Sequence, residues 1–73
     1  MIFVRRFRSE GQTRAFTVER DLAGWAAREE VNNHTVKVVH CHDWHRVERL
    51  MTLFELKASE LREDGWREVP ASE

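Results

Sequence analysis

Seven apolar residues near the C-terminus, Trp44, Val47, Leu50, Met51, Phe54, Ala58 and Leu61, recur at helical spacing. They fall within about 120° of arc at 100° per residue, a wide stripe that has to be buried against something. Asp43 stands where an N-cap belongs and Gly65 where a left-handed C′ residue belongs. A helix over 44–64 spans roughly 31 Å at 1.5 Å per residue. The segment before it must therefore supply a surface for one long helix to lie on.

That segment reads as strands. Residues 1–9 alternate, with Phe3, Arg5 and Phe7 on one side and Ile2, Val4, Arg6 and Arg8 on the other. Glu10-Gly11-Gln12 is a turn, and residues 13–20 return with Phe16 and Val18 on one face and Ala15 and Thr17 opposite. Asp21-Leu22-Ala23-Gly24 is a second connection, and Asn32-Asn33-His34 a third, since Asn tolerates the left-handed region. Valine-rich residues 35–42 form a fourth strand. Between these connections, residues 25–31 place Trp25, Ala27 and Val31 on one face, with Arg28 and Glu30 pointing away. Ala23, Ala26, Ala27, Glu29 and Glu30 would also suit a short helix over 22–31. Gly24 interrupts that pattern and the Asn-Asn turn leads straight into a strand, so strand is the reading. Residues 66–73 read as an irregular tail, with Trp66 folded back on the core edge.

The expected fold is one α+β domain over 1–73. A four-stranded, mostly antiparallel β-meander is followed by one long C-terminal α-helix packed on one face, ββββα. Seventy-three residues fill a single core and no more. The longest apolar run is the four residues Met1 to Val4, against about 20 for a membrane helix. That run is also too short for the apolar core of a secretory signal. One cysteine rules out an intramolecular disulfide framework, and a reducing cytoplasm is the expected compartment.

Reactive side chains concentrate in His40-Cys41-His42-Asp43-Trp44-His45. His-x-His on a strand puts two imidazoles on one face, a pattern that can ligate zinc, with His45 as a third ligand. Against this, Cys41 points away from both neighbours and His45 falls on the outer side of the helix. The positive end of the helix dipole also begins at Asp43. No metal is the reading, with His40, His42 and His45 as weak candidates. The same geometry denies Cys41 a general base, so it reads as a buried thiol. Gly11, Gly24 and Gly65 are too far apart for a phosphate loop. Glu55, Glu60, Glu63 and Asp64 read as a solvated helix face. Neither an enzyme nor a cofactor is expected.

Two binding surfaces remain. If the helix covers Phe3, Phe7, Phe16 and Trp25, the other face carries Arg6, Arg8, Arg28 and Lys37. Those cations are the candidate nucleic-acid contacts, on a face without rings to stack bases. Formal net charge -1 further argues against binding by charge alone. The second surface is apolar. Leu53 and Leu56 lie at about 240° and 180° on the wheel, outside the core stripe, and Ile2 and Val4 add apolar area on the sheet. A domain this small that leaves such residues outside its core often completes it with a second copy. The sequence therefore points to a small non-enzymatic, macromolecule-binding domain that forms a homodimer through Leu53, Leu56, Ile2 and Val4. Nucleic-acid binding on the basic sheet face is the first alternative, and a zinc site at the three histidines the second. The macromolecular partner itself is not identified.

Overall fold

The computed structural model describes residues 1–70. Its elements are β1 (Phe3–Ser9), β2 (Gln12–Asp21), β3 (Gly24–Val31), β4 (His34–Cys41), α1 (Trp44–Glu63) and β5 (Arg67–Val69). All four pairings are antiparallel, in the sheet order β4-β3-β2-β1-β5, with α1 packed on one face. This is the expected α+β meander and helix, with one strand more than the alternation predicts.

Turn chemistry sets the meander. Glu10 and Gly11 have φ of 48° and 80°, and Asn32 and Asn33 have 51° and 67°. Positive φ at both loop residues belongs to the type I′ turn, whose twist matches that of the strands it joins. Asn32 also accepts from the Thr13 backbone N–H at 2.9 Å, tying the β3–β4 turn to the start of β2. Between β2 and β3, the Asp21 carboxylate accepts from the Ala23 N–H at 2.9 Å. Residues 24–31 are strand throughout, so the pattern break at Gly24 outweighed the helix formers around it.

The covered face carries Phe3, Phe7, Phe16, Val18, Trp25, Ala27, Val39 and Cys41, and α1 lays Val47, Phe54, Ala58 and Leu61 on it. Phe54 is central, with its ring centroid 5.2 Å from that of Phe16 and 6.0 Å from that of Phe3. Asp43 caps the helix by accepting from the His45 N–H at 3.1 Å. At the other end Trp66 N–H bonds to Leu61 C=O at 3.0 Å and Gly65 N–H to Arg62 C=O at 3.1 Å, with Gly65 at φ 92°. These two bonds make a Schellman motif.

The Schellman turn corrects the irregular tail. It aims the chain back along the sheet, and Arg67–Val69 pairs with the free edge of β1 in the register Arg6↔Val69, Phe7↔Glu68, Arg8↔Arg67. Trp66 packs against the core edge as expected. The last part of that tail, residues 71–73, lies outside the described residues. No described helix is long and apolar enough to cross a membrane.

Candidate functional site

The side chains named from sequence fall on two opposite sides of the molecule. Paired residues in a sheet share a face, so the register sorts them. Val4 opposes Thr17, which opposes Arg28, which opposes Val38, and Arg6 opposes Ala15. Val4, Arg6, Arg8 and Arg28 therefore lie on the open face, as read from the alternation. Lys37 does not. It opposes Glu29 on the helix side, in phase with Val39 and Cys41, so it is removed from the basic face. Alternation could not orient β4 because both of its faces carry apolar residues. Only the pairing of Ala27 with Val39 does so. Val36 is skipped by a bulge, between Glu30↔Thr35 and Glu29↔Lys37.

The open face is a sheet of small residues edged by long ones. Ala15, Thr17 and Ala26 are buried on it, although the helix packs on the other face; their cross-strand neighbours are Arg6, Glu30, Val4, Arg28, Glu19 and His40. Arg28 is tied to Glu19 by an ion pair and is not free to meet a ligand without breaking it. Arg6, Arg8 and Arg67 have no ion-pair partner among the described residues. Open depressions of about 470 and 600 Å³ adjoin this end, Arg6, Arg8 and Thr13 lining the first and Arg8, Gly11 and Arg67 the second. All four Phe and three Trp belong to the covered face, the helix or the core edge, so the open face offers no Phe or Trp to stack a base, and His40, opposite Ala26, is its one aromatic ring among the described residues.

The helix side holds two ionic contacts that sequence reasoning missed. Glu29 is buried beside the core, and both of its carboxylate oxygens accept from Lys57 Nζ, at 2.9 and 3.0 Å. Its parity with Trp25 and Ala27 was the available signal. Arg5, in phase with Phe3 and Phe7, donates to Glu55 at 2.6 Å and to Glu68 at 2.5 and 2.8 Å. Glu55 is thus half of a clamp between helix and sheet, and not simply part of a solvated face. Hydrogen bonding to Arg5 holds the Glu68 carboxyl below its usual range, and the same bond raises Arg5. Sequence alone could not find this pair, because it depends on β5.

The histidines are dispersed. His40 Nδ1 sits 3.3 Å from Asp21, His42 Nδ1 sits 2.8 Å from the Ala23 carbonyl oxygen, and His45 Nδ1 sits 3.5 Å from Glu48. β4 ends at Cys41, so His42 lies past the strand and no longer shares a strand face with His40. The Ala23 N–H, then His40, lower the Asp21 carboxyl. Cys41 is buried. Among the described residues no group of three or more His, Cys, Asp or Glu side chains is arranged to hold a metal.

Leu53 and Leu56 are exposed on the outer face of α1, at 40% and 58%. The partly buried Val4 lies on the open sheet face, across the molecule from them, and Ile2, 45% exposed, stands just before β1 with its N–H on the Val18 carbonyl oxygen. The four residues read together from sequence are therefore not one patch. Comparison with known proteins found no matching family model, no similar curated protein and no similar solved structure.

Proposed function

We propose that this chain is a small non-enzymatic binding domain that self-associates through the outer face of its helix. One observation carries the reading: Leu53 and Leu56 stand exposed side by side while the core beneath is closed by Val47, Phe54, Ala58 and Leu61. Adjacent leucines three residues apart on a helix form one patch. Their combined exposure amounts to about one leucine per protomer, so a two-fold contact buries two leucine equivalents, about 3 to 6 kcal/mol. Association costs at least about 4 kcal/mol, which leaves the leucines at most about 2 kcal/mol, a Kd on the order of tens of millimolar, so a dimer at millimolar concentration needs the rest of this helix face as well. Val4 cannot join the same contact and would serve a different partner.

The test is sedimentation of the wild type against Leu53→Glu/Leu56→Glu. The wild type is expected to gain mass with concentration, and the variant to stay a folded monomer with stability within about 0.5 kcal/mol, as for other surface changes. A wild type that remains monomeric at millimolar concentration sinks the reading.

A phosphate-bearing partner on the open face is the second reading, favoured by the position of Arg67. Arg8 and Arg67 are directly opposed across β1 and β5, an arrangement of like charges that destabilises a sheet unless an anion lies between them. Arg8→Thr is expected to raise thermal stability while lowering the salt slope of single-strand binding by about 0.7. An unchanged slope removes this reading. No observation favours the zinc reading over these two.

A further inference from the structure

The outer face of α1 carries more than two leucines. Arg46, Arg49, Leu53, Leu56, Glu60 and Glu63 are all exposed and follow one another at spacings of three and four residues. That is the a/d rhythm of a helix seam. The six lie within about 100° of arc, and their centre is turned about 140° from that of the buried stripe. Along the seam the order is two cations, two leucines, two anions, and none of the four charges has an ion-pair partner among the described residues.

This order runs against the helix's own electrostatics. The N-terminal end of a helix favours acids and the C-terminal end favours cations. Here the first turn has no acid, and of the last turn's charged residues only Arg62 is basic, while Glu60 and Glu63 lie toward the negative end. Propensity and the dipole leave the arrangement unexplained. A partner with the reverse order would explain it, and the chain supplies one when its own helix is turned end for end.

From this we infer that the outer face of α1 docks on the same face of a second copy, antiparallel, about a two-fold axis between positions 54 and 55. Leu53 then meets the partner's Leu56, Arg49 the partner's Glu60, and Arg46 the partner's Glu63. Every contact occurs twice, as an isologous interface requires. The inference rests on the proposed self-association and adds its orientation and register. A parallel pairing would set the arginines against arginines and the glutamates against glutamates, which excludes it by repulsion. Thr52 and Ser59, beside the seam, are small enough to let the two helices approach closely.

Charge exchange tests the register. At low salt, Arg46→Glu/Arg49→Glu is expected to weaken the dimer about tenfold, because each new acid faces a glutamate. Glu60→Arg/Glu63→Arg is expected to do the same through facing arginines. Combining all four substitutions restores opposite charges in the antiparallel register alone, and the dimer should return to wild-type strength. Melting at a dilution where every form is monomeric tests folding separately, and the four-fold variant should melt no lower than wild type because its charges then follow the helix dipole. A wild type that never dimerises overturns both the self-association and its register. A dimer lost on Leu53→Glu/Leu56→Glu but indifferent to either charge reversal, or not restored by the four-fold exchange, leaves self-association standing and overturns the antiparallel seam.

Discussion

Replacing Lys57 by Met tests how the helix is locked onto the sheet. Glu29 is the one carboxylate buried beside the core among the described residues, its side chain 10% exposed, and Lys57 donates to both of its oxygens. Removing one member of a fully buried ion pair costs about 3 to 5 kcal/mol, because the other charge is left without compensation. The Lys57 side chain is 32% exposed, so water can reach the vacated position, and about 2 kcal/mol is the better figure. A domain of this size has only about 4 to 11 kcal/mol in total, so the loss should lower the melting temperature by about 8 to 16 °C. Glu29→Leu should behave differently. It removes the buried charge, and Lys57 is exposed enough to turn its ammonium to water, so the cost should stay below about 1 kcal/mol. The double variant Glu29→Leu/Lys57→Met should lie closer to Glu29→Leu than to Lys57→Met. Urea unfolding followed by circular dichroism at neutral pH measures all three. If the two single variants cost the same, or Lys57→Met costs less than about 0.5 kcal/mol, burial of Glu29 is not what makes the pair matter.

Two more outcomes follow from the geometry. Gly24→Ala should destabilise by about 3 kcal/mol or more, since a Cβ there would lie 2.2 Å from the Cys41 carbonyl oxygen, at φ 148°. Gly11→Ala, at φ 80° with nothing within 4 Å of its Cβ, should cost only the backbone strain of about 1 to 2 kcal/mol; chemical denaturation of the two variants fails this reasoning if their order is reversed. The Glu68 carboxyl is held low by Arg5, so its contribution is present above its unfolded pKa and is lost as pH falls through the lower folded value. Arg5→Met should therefore flatten the acid limb of the stability curve. The Glu68 side chain is about a third exposed, so the effect should be about 1 kcal/mol or less, read from melting temperatures between neutral pH and the acid transition.

The helix, its two ends and the hairpin turns were determined by local sequence. A stripe from Trp44 to Leu61, an N-cap at Asp43, Gly65 in the left-handed region and the turn residues Glu10-Gly11 and Asn32-Asn33 act within a few residues of themselves, so no distant contact is needed to read them. The aromatic face of β1 to β3 was legible for the same reason, because each of those strands has one strongly apolar side. Tertiary structure alone decided the rest. Arg67–Val69 has neither length nor alternation; it is a strand because the Schellman turn delivers it to the free edge of β1 and Arg5 holds Glu68 there. β4 is apolar on both sides, so the placement of Lys37 awaited its pairing with β3. Val4 shares its apolar character with Leu53 and Leu56, yet composition could not say that the sheet and helix would carry them to opposite sides. Side-chain periodicity assigns a residue to a face of its own element. Which faces meet is decided by the register and packing between elements, and those depend on contacts between residues far apart in the chain.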